Sequence, residues 1–175
     1  DVLLLFNSAV TTDSSGCGNA VTNNGAISLQ SASSRDGSNY VTLNGNSQYL
    51  TITKSGGAGS CNGNDENTNK DSTSGWFKVS THPASGKKYE IYRIEQSSGM
   101  NCCSYYDINI ISSGKVNFTF NTNAGMNPPG PISCIATRNY TDGAWHHFVA
   151  GRQQGEQCEL FMDGGTSNGG ESITD

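Results

Sequence analysis

The sequence predicts an all-β fold, an antiparallel β-sandwich, and three observations predict it. Short runs of alternating apolar and polar residues recur along the chain, which is the two-residue period of a half-buried strand. Gly, Ser, Thr and Asn dominate while only 33% of the 175 residues are apolar; that balance suits short strands joined by turns and leaves little to build amphipathic helices. Pro83, Pro128, Pro129 and Pro131 all fall in expected loops, where no ladder hydrogen bond is lost.

Taken in order, the strands are expected over residues 2–6, 26–30, 40–43, 49–53, 75–80, 89–94, 105–111, 115–120 and 132–137, with a closing hairpin over 142–164. Residues 2–6 are an almost continuous apolar run. Ser112-Ser113-Gly114 forms a tight turn between its two flanking strands, and Val116, Phe118 and Phe120 then share one face while Asn117 and Thr119 face outward. In the closing hairpin His146, Phe148 and Ala150 share one face, and so do Cys158, Leu160 and Met162 on the return strand; Trp145 is expected to cap that layer. No composition shift divides the chain, so one domain over 1–175 is expected.

Specific segments add a resemblance. Asp142-Gly143-Ala144-Trp145-His146-His147, followed by alternating apolar residues, Arg152, a short polar turn and Leu160-Phe161-Met162-Asp163-Gly164, resembles the laminin G-like domains of the concanavalin A-like superfamily. Upstream, Asp13-Ser14-Ser15-Gly16-Cys17-Gly18-Asn19, the Val41-Thr42-Leu43-Asn44-Gly45 and Tyr49-Leu50-Thr51-Ile52 pair, read as a hairpin, and Ser74-Gly75-Trp76-Phe77-Lys78-Val79 are similar to that family's segments in the same order. Cys17 stands where the family commonly has Asn, and Cys102-Cys103 has no counterpart in the pattern. The resemblance implies a jelly-roll sandwich acting as a non-enzymatic extracellular recognition or adhesion module. It also implies further strands beyond the Met-Asp-Gly turn, one of them beside the first strand. Residues 164–175 are Gly-rich with Ile173 as the one strong apolar side chain, so the domain is expected to be incomplete at its C-terminal end. Either the chain is a piece of a longer polypeptide, or a neighbouring chain donates a strand beside residues 2–6, as in an extracellular fibre.

Charge and cysteine content narrow the partners. The net charge is -5 with only ten Lys and Arg, so phosphate backbones are repelled and nucleic acid is not an expected partner. No run of about 18 apolar residues exists to insert in a membrane. Residues 2–6 are too short for the apolar region of a signal peptide, which suggests a mature N-terminus. Cys17, Cys61, Cys102, Cys103, Cys134 and Cys158 form an even set without Cys-x-x-Cys spacing, which favours disulfides over zinc and an oxidising, extracellular compartment. Their pairing is open. Cys102 and Cys103, as strand neighbours, are expected to bond in different directions, and Cys158 is where a buried free thiol would be the exception. The sequons at Asn117 and Asn139 predict glycans and agree with secretion. Extracellular proteins or glycans are the expected partners.

Four groups of residues offer chemistry. Between Ser55 and Ser74 lie Asp65, Glu66 and Asp71, oxygen ligands suited to Ca2+; a calcium-dependent carbohydrate-binding lectin is the reading they favour, and a solvated loop pinned by Cys61 is the plainer one. His146 and His147 are strand neighbours whose rings diverge, so His146 is read as a core histidine and not as half of a dyad. Glu90 and Glu95 flank Ile91-Tyr92-Arg93-Ile94 at a spacing similar to a glycoside hydrolase pair, but Tyr92 replaces the intervening acid and residues five apart straddle an unbulged strand. Tyr105 and Tyr106 diverge to opposite faces, which would leave one of them for sugar stacking.

Overall fold

Every second residue decides the architecture. Val116, Phe118 and Phe120, Phe148 and Ala150, and Cys158, Leu160 and Met162 all alternate with more exposed neighbours, and together with Ile108 and Ile110 they are buried in one cluster. Phe and Leu side chains taken from water at such positions contribute about 2–3 kcal/mol each. The computed structural model describes residues 9–15, 17–31, 35, 39–53, 71–95, 105–121, 131–153, 157–165 and 171–174. Among these the fold is all-β and sandwich-like, with antiparallel pairing throughout and no helix long and apolar enough to cross a membrane. The chain forms two compact units, Asp1–Asp65 and Glu66–Asp175.

In the first unit β1 (Ala20–Asn24) pairs with β4 (Tyr49–Thr53), and β2 (Leu29–Gln30) pairs with β3 (Tyr40–Val41). The strand expected over 26–30 shrinks to two residues. Gly25 and Ala26 both take positive φ, 86° and 55°, and Asn23 bonds the backbone of Ile27 through both ends of its amide, so the chain turns where a strand was expected. Asn44 Oδ1 likewise accepts the N–H groups of Asn46, Ser47 and Gln48. The expected hairpin across that turn is not formed, because β3 and β4 pair with β2 and β1 rather than with each other. The Asp13 carboxylate gathers the N–H and hydroxyl of Ser15 and the N–H and side-chain amide of Asn19, closing the 13–19 turn.

The second unit holds two four-stranded sheets. One has the order β12 (Glu171–Thr174), β11 (Gln157–Met162), β10 (Trp145–Gln153), β5 (Asp71–Lys78). The other has the order β6 (Tyr89–Glu95), β7 (Tyr105–Ile110), β8 (Val116–Asn121), β9 (Pro131–Ile135). Both turn their apolar sides to the shared core, and a disulfide from Cys134 on β9 to Cys158 on β11, with Cα atoms 5.9 Å apart, joins them. Cys158 is therefore not a free thiol. Cys17 is also disulfide-bonded, while Cys61, Cys102 and Cys103 lie outside the described residues. Core packing is close at Gly75: a Cβ there would sit 2.9 Å from the Phe148 ring. The expected turn at Ser112-Ser113-Gly114 is present, with Gly114 at φ 76° and its N–H bonded to Ile111 O.

Three placements differ from expectation. Pro131 opens β9 instead of standing in a loop, a strand-initial site that asks no donor of it. Trp145 shares the alternation of His147, on the side of β10 away from the core, and does not cap the core layer. Residues 171–174 form a strand antiparallel to β11, so part of the Gly-rich tail does extend this sheet. The strand expected over 2–6, and with it the question of what lies beside it, falls outside the described residues.

Candidate recognition surface

Since Phe77, Phe148, Ala150, Leu160 and Met162 point into the core, the residues between them must point the other way. That side of the sheet carries Trp76 on β5, Trp145, His147 and Val149 on β10, and Phe161 on β11. Register sets Trp76 opposite His147 and Val149 opposite Phe161. The Trp76 and His147 rings meet at 4.8 Å between centroids, and Trp76 remains 45% exposed. Large rings with few rotatable bonds supply contact area at little entropic cost, which is why such residues anchor interfaces.

The other sheet presents a contrasting outward side. It carries Asp107 and Asn109 on β7, Asn117 and Thr119 on β8, and Ser133 on β9. Lys88 Nζ donates to Asp107 Oδ2 and to Glu90 Oε1 at 3.0 Å, and Arg93 donates to the same Glu90 oxygen at 3.1 Å. Burial disfavours the charge on Glu90, but the bonds from Lys88 and Arg93 outweigh it and hold the carboxyl below its ordinary value. Burial likewise opposes the Lys88 ammonium, and Asp107 and Glu90 outweigh it to raise its pKa. Asn117 Nδ2 donates to Thr119, whose hydroxyl bonds Ser133 at 2.8 Å. Asp107 and Asn109 are only 5% and 2% exposed, and Asp107 Oδ1, Asn109 Oδ1 and Asn117 Oδ1 are buried with no hydrogen-bond donor among the described residues.

A β-bulge lies between Glu90 and Tyr92, so the unbulged strand on which the straddling of the glutamates was expected is not present. Glu90 lies opposite Asn109 and Arg93 opposite Asp107, so both belong to the outward side of the sheet, while the side chain of Glu95 lies outside what the structure describes. The extra residue turns Tyr92 to the core side opposite Ile108, and Arg93 stands between the glutamates where a hydrolase pair would have an acid. Tyr106 stacks near Phe118 and Phe120 in the core, which makes it the inward member of the tyrosine pair.

His146 is the core histidine the alternation predicts, 9% exposed and edge-on to Tyr140 at 5.0 Å. What the alternation does not reveal is that Asp142 and Asp163 each bond one of its ring nitrogens. Nor does it reveal the Lys88–Asp107 contact, 19 residues apart in sequence. A signal was available for the first, since both aspartates precede glycines in the turns that enter and leave the closing hairpin.

Asp71 lies on β5 opposite Arg152, not in a loop, and Asp65 and Glu66 lie outside the described residues. Among the described residues no three His, Cys, Asp or Glu side chains gather as a metal site would require. Asn117 is half-buried and not outward in the open as expected, because its Oδ1 is covered. Asn139 is exposed, although its amide packs against Gly114 and contacts His82 Nε2 at 3.0 Å, and its Oδ1 accepts both the N–H and the hydroxyl of Thr141. No family model, no curated protein and no solved structure matches this chain.

Proposed function

We propose that this chain is a non-enzymatic extracellular recognition and adhesion module of the laminin G-like, jelly-roll kind, secreted as part of a larger protein or fibrous assembly. The observation that carries the reading is the ring surface on β5, β10 and β11. Trp76 stands 45% exposed against His147, with Val149 and Phe161 paired beside it. A single Trp in that setting is a binding anchor for a protein or a glycan. The sheet-to-sheet disulfide supports a secreted setting. The test is a binding screen against immobilised extracellular matrix proteins and glycans, run with the wild type and Trp76→Ala. Binding weakened at least about tenfold, with an unchanged melting temperature, is the expected result. Ligands bound equally by both forms, or none bound, reject it.

The ion pairs that Lys88 and Arg93 make with Glu90 favour a second reading, a glycoside hydrolase. There Glu90, held ionised by Lys88 and Arg93, would serve as nucleophile or base, with Glu95 as the acid that the sequence spacing offers. Hydrolysis of a β-glucan by the wild type, lost in both Glu90→Gln and Glu95→Gln, would displace the recognition reading.

A further inference from the structure

One side chain holds two turns at the same end of the closing hairpin. Asp142 stands in the turn that enters β10 and Asp163 in the turn that leaves β11. His146 Nε2 lies 2.9 Å from Asp142 Oδ1 and its Nδ1 lies 2.9 Å from Asp163 Oδ2. Each carboxylate is also fixed to the backbone: Ala144 N–H donates to Asp142 Oδ1 at 2.8 Å, and His147 N–H donates to Asp163 Oδ1 at 2.9 Å. Asp163 adopts φ 51°, a left-handed conformation that persists in a non-glycine residue where its surroundings fix it.

An ionised carboxylate only accepts hydrogen bonds, so each of these contacts needs a hydrogen on the ring nitrogen. A neutral imidazole carries one such hydrogen and an imidazolium carries two. We propose that Asp142, His146 and Asp163 form a charge-gated clasp that ties both turns while His146 carries two ring hydrogens and releases one turn when it loses a proton. In the neutral ring one nitrogen lone pair faces a carboxylate, and attraction becomes repulsion at that contact. Among the described residues the other rings beside His146 are Tyr140, nearly perpendicular to it and with its hydroxyl accepting from Arg138 Nη2 at 3.4 Å, and Phe77 of β5 at 5.8 Å. Neither ring supplies a countercharge. At the acid end the clasp outlasts ordinary carboxylates, because the Ala144 N–H and then His146 hold Asp142 below its usual 3.8. The clasp therefore ties both turns while the ring carries two hydrogens and only one turn once it carries one. It stands whether or not the outward side of this sheet binds a partner.

The experiment is an NMR titration of the whole chain from about pH 5 to about pH 8, following the ring nitrogens of His146 and the backbone amides of Ala144 and Asp163. The expected result is a doubly protonated ring at the acid end. One nitrogen then loses its hydrogen, and at least one of the two amides shifts with the same midpoint, while titration of the outward His147 ring leaves both unmoved. His146→Gln, which offers one donor and one acceptor at any pH, is expected to abolish the midpoint in the amides. A ring that keeps a single tautomer throughout, amides that do not move with it, or amides that still titrate in His146→Gln overturn the clasp. If that variant does not fold, the wild-type titration alone decides.

Discussion

The two outward sheet sides of the second unit reverse the usual assignment of polarity to exposure. On β5 the indole of Trp76 stands 45% exposed, whereas on β7 the carboxylate-bearing Asp107 and the amide-bearing Asn109 are 5% and 2% exposed. Both sides obey the same two-residue alternation, so alternation determines which residues leave the core but not how much water they meet. The polar side is held by compensation: the Asp107 charge is answered by Lys88, and that ammonium is shared with Glu90. The ring side needs no compensation, since exposing apolar surface costs only hydration, and a modest exposed patch is tolerated and useful in binding.

Removing the disulfide that joins the two sheets is expected to have the largest effect. Cys134→Ala with Cys158→Ala opens a link between residues 24 apart, for which the chain-entropy estimate is about 3 kcal/mol. Chemical denaturation followed at Trp76 and Trp145 on one sheet and by far-ultraviolet dichroism for the whole should show one transition moved to lower denaturant. Two separate transitions would mean that the sheets do not share a core, and the contrast between their outer sides would then belong to independent bodies.

Next comes Lys88→Ala, which leaves Asp107 buried without its counterion and should cost about 2 kcal/mol, discounted for the partial exposure of Lys88. In the wild type the raised Lys88 pKa makes this contribution complete below the ordinary 10.5 and lost only as pH rises through the higher folded value. Equal unfolding midpoints for the variant and the wild type at neutral pH would show that the polar side is not held by charge compensation.

The smallest stability effect is expected from Trp76→Ala, under about 1 kcal/mol, because the indole is already 45% exposed in the folded chain. A loss larger than that of Lys88→Ala would invert the comparison and make Trp76 a structural residue rather than a surface anchor.

The alternating runs were sufficient to read β4 and β6 to β11, and the inward faces of β8, β10 and β11, directly from residues such as Val116, Phe118, Phe120, Phe148 and Leu160. Strands of five or more residues with one buried face carry that period in their own side chains. β1 and β12 went unread because Ala20–Asn24 and Glu171–Thr174 are polar and borrow their strand character from β4 and β11. Local chemistry also determined His146 as an inward residue and the turns at Gly114 and Gly143. Only the tertiary structure decided what those positions touch. The pairing of Cys134 with Cys158, the reach of Lys88 to Asp107, the two carboxylates on His146 and the bulge between Glu90 and Tyr92 depend on register between segments distant in sequence. Register is fixed by the joint packing of both sheets on one core and not by the local period of any strand.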